Sequence, residues 1–253
     1  MDGYGVWTRR IALASLLGLS LSSAGLSGLL LGTQESEERA FHGKLAKLVE
    51  QTDRTSADRG KERSRDWDAL LNRTPPVIAW LTVRNTPISY PVVQATSDRH
   101  LQWLLSHDLW GERHAFGTLS VDHRTMPDRP HVLIYGHHIS GSSVMFSSLQ
   151  QCWQPLRFER LGHAVLETPH STGTYTPAMA MRIDETYGTL QRFESESSTW
   201  IGPWMEQLKQ ETHPRAVKTT HNRDAIRQVL TLITCAQERS GQAERTAVLF
   251  VRS

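Results

Sequence analysis

The pattern of hydrophobic and polar residues divides the chain into three stretches. Residues Ile11 to Leu31 contain only Ile, Leu, Ala, Gly and Ser. Residues 35 to 72 are highly charged, with apolar positions at helical spacing. From Val77 onward, short β-type runs alternate with turns. The pattern therefore predicts a membrane-crossing segment, a helical linker and a mainly β body.

The first stretch is long enough to cross a bilayer, because about 20 helical residues span a hydrocarbon core of ~30 Å. Arg9 and Arg10 precede it, and three glutamates follow it, at positions 35, 37 and 38. By the positive-inside rule, residues 1–10 form a cytoplasmic tail and the chain after Leu31 is exported. We expect a single-pass protein of the cell membrane with an extracellular body.

A cleaved signal peptide is the alternative, with Ser22-Ser23-Ala24 as the processing site. The apolar run continues through Leu29-Leu30-Leu31, which favours an uncleaved transmembrane anchor over residues 11–31. Either interpretation exports the body of the protein.

The linker, residues 32–76, is predicted to form one or two amphipathic helices. Its apolar positions recur every three or four residues, as at Phe41, Leu45 and Leu48. Consecutive prolines at 75 and 76 end the helical pattern. A single domain is predicted to follow, over residues 77–253.

That domain is predicted to be a β-barrel or sandwich with added helices, because several short strands follow one another with few helices between them. The predicted strands are Val77 to Val83, Ile88 to Gln94, His131 to His137, His163 to Thr168, Thr174 to Ile183, Val229 to Cys235 and Thr246 to Arg252. Helices are predicted over Ser197 to Glu211 and Arg223 to Arg227.

The charge balance removes one class of partner. The chain has 28 Lys and Arg against 26 Asp and Glu, a formal charge of +2. This gives no reason to expect a nucleic-acid surface. The two cysteines, Cys152 and Cys235, are either a disulfide pair, buried small hydrophobes or reactive thiols.

Cys235 ends an apolar strand and is followed by a polar loop, so a thiol at the rim of a barrel is predicted. Arg245 begins the next strand, ten positions later (245 − 235 = 10). If the two strands pair antiparallel, Cys235 and Arg245 are neighbours. A guanidinium there lowers the pKa of the thiol or stabilises an oxyanion.

His137 ends another apolar strand, and acyl transfer by a cysteine needs an imidazole to exchange protons with the thiol and the leaving amine. Taken singly, each of the three residues also fits a structural role: a buried thiol, a loop histidine and a solvated charge. Zinc binding is a further option for a chain with 12 histidines, but no metal-site spacing such as CxxC or HExxH is present.

Four motifs in order resemble those of the class B sortases, which are cysteine transpeptidases. IAWLTVRNTPISYPVVQ resembles the family's GWIxIxGTxIxYPVVQ, and LLSHDLWGERHAFGTLSVDHR resembles YLxHDFxGxxxxxGxIFxDxR. YGHHISGSSVMFSSL resembles YGHNMxxGxMFxxL, and TLITC resembles TLxTC. The resemblance extends over essentially the whole predicted exported domain.

The resemblance implies an eight-stranded sortase barrel with added helices. It implies that His137 is the catalytic histidine, Cys235 the nucleophile and Arg245 the catalytic arginine, with Thr234 lining the signal pocket. No cofactor or metal is expected. The implied partners are surface or pilin proteins with a C-terminal sorting signal, and an amine acceptor from a peptidoglycan precursor or a pilin.

Two positions depart from the family pattern. His138 stands where the family usually has Asn, and Gln237 stands where many members have an acidic residue, with Glu238 one position later. These departures bear on substrate preference or rate. Two other functions use similar residues: a cysteine protease of another fold, and a surface domain that has lost activity.

Overall fold

The computed structural model describes residues 33–54, 64–193, 197–218, 222, 225–235 and 244–253. Of Arg54, Ser64 and Cys235 it describes the backbone alone. The chain divides after Arg65 into two compact units. The second unit begins at Asp66, within the predicted linker.

The first unit contains a helix, α1, over residues 33–52, which confirms the helical pattern predicted there. Phe41, Leu45 and Leu48 are buried at spacings of four and three residues, as on one face of a helix. Two short antiparallel strands follow, β1 (Asp53–Arg54) and β2 (Ser64–Arg65). No helix among the described residues is long and apolar enough to span a membrane. The predicted anchor, residues 11–31, lies outside them.

The second unit is built from nine strands and four short helices among the described residues. The strands are β3 (Val77–Val83), β4 (Ser89–Gln94), β5 (Leu119–Val121), β6 (His131–Tyr135), β7 (Ala164–Glu167), β8 (Thr172–Asp184), β9 (Arg215–Val217), β10 (Gln228–Cys235) and β11 (Glu244–Arg252). The helices are α2 (Trp67–Leu71), α3 (Asp98–Leu104), α4 (Pro155–Phe158) and α5 (Ile201–Glu211). Two 3₁₀ turns occupy Ser147–Leu149 and Gly188–Leu190.

Eight of these strands close into a barrel, in the order β11-β10-β6-β5-β4-β3-β7-β8, with β8 pairing again with β11. The thirteen-residue strand β8 makes this closure possible. Its first part, Thr172 to Tyr175, pairs with β7, and the remainder pairs with β11. β9 is a ninth strand on the outer edge of β8. The predicted mainly β fold with an eight-stranded barrel is confirmed.

The barrel has an apolar interior and a second apolar layer beneath α5. Val229 and Ile233 of β10 pack in one cluster with Trp204 and Leu208 of α5. Side chains alternate along a strand, so Leu230 and Leu232 point the other way, into the barrel. Both are fully buried. Burial on both faces explains why the sequence of β10 is mostly apolar and does not alternate with charged residues.

The sequence predicted seven strands, and all seven are present with ends shifted by at most two residues. It missed β5 and β9, each three residues long, and the helices α3 and α4. It also missed the two-residue strands β1 and β2, which interrupt the linker that was predicted to be helical. α5 begins at Ile201 and not at Ser197. The helix predicted over Arg223 to Arg227 lies partly outside the described residues.

Candidate active site

The strands β6 and β10 are parallel neighbours, and they bring His137 and Cys235 to the same edge of the barrel. β6 and β10 pair in parallel from Val229↔His131 through Ile233↔Tyr135. The ladder continues one step further, since the Gly136 amide donates to the Ile233 carbonyl oxygen at 3.1 Å. His137 is two residues beyond Tyr135, and Cys235 is two residues beyond Ile233. The two positions are therefore at the same level of adjacent strands.

Cys235 and Arg245 are direct partners across the antiparallel β10–β11 pair. The sequence argument predicted that these two residues are neighbours, and the register confirms it. β10 thus lies between β6 and β11, and position 235 is flanked by the strand ends that carry His137 and Arg245. The register fixes where these strand ends lie, and it does not by itself give the three residues a chemical role.

The residue before His137 has to be glycine for a steric reason. A Cβ atom on Gly136 would lie 2.4 Å from Leu119 Cδ2 and 2.6 Å from Phe146 Cδ2, far inside van der Waals contact. The Phe146 amide also donates to the His137 carbonyl oxygen at 2.9 Å. The backbone around His137 is therefore fixed from both sides by packing and by hydrogen bonding.

The imidazole of His137 is half-buried, and its Nε2 donates to the carbonyl oxygen of Leu105 at 2.5 Å. A carbonyl oxygen accepts only, so the neutral ring carries its proton on Nε2 and has a lone pair on Nδ1. Burial lowers the pKa of His137 below its usual value. The Leu105 hydrogen bond opposes this shift, and the charge of Arg245 adds to it. At neutral pH the ring is therefore mainly a neutral base.

The guanidinium of Arg245 is held from two directions. Its Nη2 donates to Glu185 Oε2 at 2.6 Å, and its Nη1 donates to the carbonyl oxygen of Glu244 at 3.1 Å. Its side chain is 26% exposed, so the positive charge is partly accessible to solvent at this end of the barrel. A fixed, partly desolvated guanidinium is suited to stabilising a developing anion.

Thr234 is buried, with 2% of its surface exposed. Its hydroxyl has no hydrogen-bond partner within the described parts of the chain, and neither has that of Thr246, its partner on β11. This placement leaves little of the Thr234 side chain open to a ligand. Its assignment to a signal pocket stays a prediction.

Cys152 is a free, buried thiol, which rules out the Cys152–Cys235 disulfide considered as an alternative. Its Sγ donates weakly to the Ser148 carbonyl oxygen at 3.6 Å. Burial raises its pKa to about 12, with a small opposing effect from Arg157. This thiol is protonated and enclosed at neutral pH, so it is a structural residue.

A buried polar network lies next to the strand that carries His137. Arg124 donates to both carboxylate oxygens of Asp122, at 2.8 and 2.7 Å, and the Tyr135 hydroxyl donates to Asp122 at 3.0 Å. Burial alone would raise the pKa of Asp122, but the hydrogen bonds and charge of Arg124 lower it overall. Asp122 therefore stays ionised and holds Tyr135, two residues before His137.

Sequence reasoning missed the Leu105 carbonyl, Glu185 and the role of Asp122. A backbone carbonyl gives no signal in the sequence, whereas Asp122 and Arg124 belong to the segment SVDHR of one of the four motifs. Of the two departures from the family pattern, His138 is described and half-buried, directly after His137, whereas Gln237 lies outside the described residues, as does Glu238. Within the described ranges, no three His, Cys, Asp or Glu side chains form a cluster that could hold a metal ion.

No family model matches the chain, and no curated protein matches it. Solved structures do match in fold. The Staphylococcus aureus sortase B–substrate complex has a TM-score of 0.66 at 18% identity, covering 87% of this chain and 97% of that one. Sortase B from B. anthracis in complex with AAEK1 has a TM-score of 0.66 at 19% identity, covering 86% and 96%. A sortase B complex with Gly3 has a TM-score of 0.65 at 18% identity, covering 86% and 97%. The chain has the fold of the class B sortases.

Proposed function

We propose that the chain is a sortase-like cysteine transpeptidase, with Cys235 as nucleophile, His137 as acid and base, and Arg245 as oxyanion stabiliser. One observation carries the proposal: the adjacent strands β6, β10 and β11 present these three residues at the same end of the barrel. Nucleophile, proton carrier and cationic donor form a complete set for attack on an amide.

In the first half of the reaction, His137 Nδ1 takes the thiol proton and the Cys235 sulfur attacks the carbonyl carbon of the scissile peptide bond. Arg245 donates hydrogen bonds to the oxyanion of the tetrahedral intermediate. The C–N bond then breaks, and the proton on His137 passes to the leaving amine. A thioacyl enzyme remains.

In the second half, the amine of the acceptor attacks the thioacyl carbon, and His137 Nδ1 takes its proton. The C–S bond breaks and the thiolate leaves, to be reprotonated by His137. The hydrogen bond from Nε2 to Leu105 supports this role, because it keeps the basic nitrogen on the opposite side of the ring.

We propose as substrates surface or pilin proteins with a C-terminal sorting signal, and as acceptor an amine of a peptidoglycan precursor or a pilin. The similar structures include a complex with substrate and a complex with Gly3. Thr234 is proposed to line the signal pocket. The proposal also includes a cytoplasmic tail (1–10), a transmembrane anchor (11–31), a linker (32–76) and an extracellular catalytic domain (77–253).

The decisive experiment incubates the purified chain with sorting-signal peptides, with and without an amine acceptor. A ligated product that appears only with the amine, and that is lost in Cys235→Ala, supports the transpeptidase. Hydrolysis without ligation under any acceptor would identify a cysteine protease. A Cys235 thiol that resists a covalent probe as strongly as Cys152 would identify an inactive surface domain.

A further inference from the structure

Glu185 is in direct contact with the guanidinium of Arg245. β11 runs between β10 and β8, and Arg245 is opposite Cys235 on one side and opposite Ile183 on the other. Glu185 is two residues beyond Ile183, in the turn that follows the end of β8. Its Oε2 accepts from Arg245 Nη2 at 2.6 Å, the short distance of a charge-assisted hydrogen bond.

We propose that Glu185 is a positioning residue that anchors Arg245 at the site and offsets its positive charge. The inference rests on the proposed function, because Glu185 is proposed to position Arg245, the oxyanion stabiliser of that reaction. An arginine side chain has many rotamers, and fixing one of its nitrogens from β8 while Nη1 binds the Glu244 carbonyl oxygen defines the plane of the guanidinium.

The other carboxylates close to Arg245 have different partners. The Asp184 carboxylate accepts from the amide and the hydroxyl of Thr186, at 2.9 and 2.5 Å. The Glu244 carboxylate pairs with Arg182, with 3.3 Å between Oε1 and Nε. Of these three described carboxylates, Glu185 is the one that is hydrogen-bonded to the guanidinium, and the other two provide matched controls of the same charge.

The residue that contacts the arginine lies just beyond the end of β8. Nothing in the local sequence around Cys235 and Arg245 discloses this contact, because 60 residues separate Glu185 from Arg245.

Glu185→Gln removes the charge and keeps the shape of the side chain. In the full chain we expect kcat for transpeptidation to fall by roughly tenfold, the scale of a modest misplacement of a catalytic group. KM for the peptide should change by less than about twofold, since the loss is confined to the transition state. Asp184→Asn, which removes the same charge one residue away and preserves the Thr186 turn, should retain wild-type kcat.

A double-mutant cycle tests whether Glu185 acts through Arg245. In an Arg245→Ala background, Glu185→Gln should cause no further loss of kcat, because there is no guanidinium left to anchor. Glu185→Asp keeps the charge on a shorter side chain, so it should lose part of kcat. A Glu185→Gln variant with wild-type or higher kcat, or with the same tenfold loss in the Arg245→Ala background, overturns the proposal.

A second measurement does not need the transpeptidation reaction. The pKa of the Cys235 thiol is read from the pH dependence of its alkylation by iodoacetamide, with the buried Cys152 unreactive. Removal of a negative charge near Arg245 favours the thiolate, so Glu185→Gln should lower this pKa and Glu185→Asp should not. An unchanged thiol pKa in Glu185→Gln contradicts the inference. If no peptide is ligated by the wild-type chain, the proposed function fails while this titration still decides the electrostatic role of Glu185.

Discussion

His137 and Leu105 are joined by a hydrogen bond from the imidazole Nε2 to the backbone carbonyl oxygen, across 32 residues of sequence. Leu105 directly follows α3, so the helix end positions the acceptor. The bond selects the tautomer in which Nδ1 is the basic nitrogen. If His137 is the acid and base that we propose, this backbone group has the orienting role that a carboxylate or amide side chain has in many cysteine and serine enzymes.

The pKa of His137 provides a test of its role as base. Burial and the charge of Arg245 favour the neutral ring, so the pKa of His137 lies below its ordinary value of 6.5. Activity that requires the neutral base rises with pH through that lowered pKa. We expect the acid limb of kcat/KM to lie below pH 6.5, in agreement with an NMR titration of the ring. A histidine pKa at or above 6.5 would contradict this assignment.

The two cysteines should behave in opposite ways. Cys235→Ala should abolish cleavage and transfer, because the other cysteine of the chain, Cys152, is buried and cannot form the thioacyl bond. Cys152→Ala should leave kcat nearly intact and lower the free energy of unfolding by about 1 kcal/mol, a typical loss for a buried residue. Peptide assays and urea unfolding measure the two effects. The roles of the cysteines are misassigned if only Cys152→Ala inactivates the enzyme.

Arg245→Ala should lower kcat by roughly 10²- to 10³-fold, the scale for losing one oxyanion donor. Arg245→Lys should recover little, because an ammonium group cannot reproduce the planar fork that contacts both Glu185 and the Glu244 backbone. The matched control is Arg252→Ala, at the opposite end of the same strand, which should keep wild-type kcat. Steady-state kinetics with a sorting-signal peptide would distinguish these outcomes; equal losses in the two alanine variants would refute the role of Arg245.

The buried imidazole of His131 should make the free energy of unfolding depend on pH. It is enclosed by aromatic rings of Phe193 and Trp204, with Nδ1 donating to the Arg192 carbonyl oxygen at 2.9 Å. Burial lowers its pKa to about 4, against partial opposition from the Arg192 hydrogen bond and from Asp122. Between pH 6.5 and about 4 the unfolded chain therefore binds a proton that the folded chain does not.

Stability is thus fully present above pH 6.5 and falls as the pH decreases toward 4. The loss from this one group is roughly 3 kcal/mol over that range. Urea unfolding at several pH values measures it, and His131→Gln should flatten the curve in the same interval. An equal slope in wild type and variant would show that His131 does not cause the acid sensitivity.

The strands of the second unit that could be predicted from sequence are those with at least four residues. β3 and β10 are long and rich in apolar residues, and every described side chain in the middle of β10 is buried. β5 and β9 have three residues each, too few to show a period. In α3 only Leu104 is buried, so the helix has no apolar stripe to detect.

The contacts of the candidate site also divide into those that the local sequence predicts and those that depend on the tertiary fold. The Cys235–Arg245 pairing followed from a short connection between two apolar runs, which is local information. The Leu105 carbonyl could not be found, because every residue has one and its contact with His137 depends on the tertiary fold. Glu185 is equally non-local, and its contact with Arg245 exists because the end of β8 pairs beside the start of β11.

The parallel ladder between β6 and β10 has an evolutionary consequence. Five consecutive residue pairs in the most enclosed part of the barrel set the level at which both strands end. A slip of one residue would turn every side chain of a strand to the opposite face and expose the core, so selection for stability alone preserves the spacing of the two strand ends. Loops beyond those ends are under no such constraint. New substrates can therefore be acquired by changing loops, while the spacing between His137 and Cys235, which we propose as acid/base and nucleophile, is inherited unchanged.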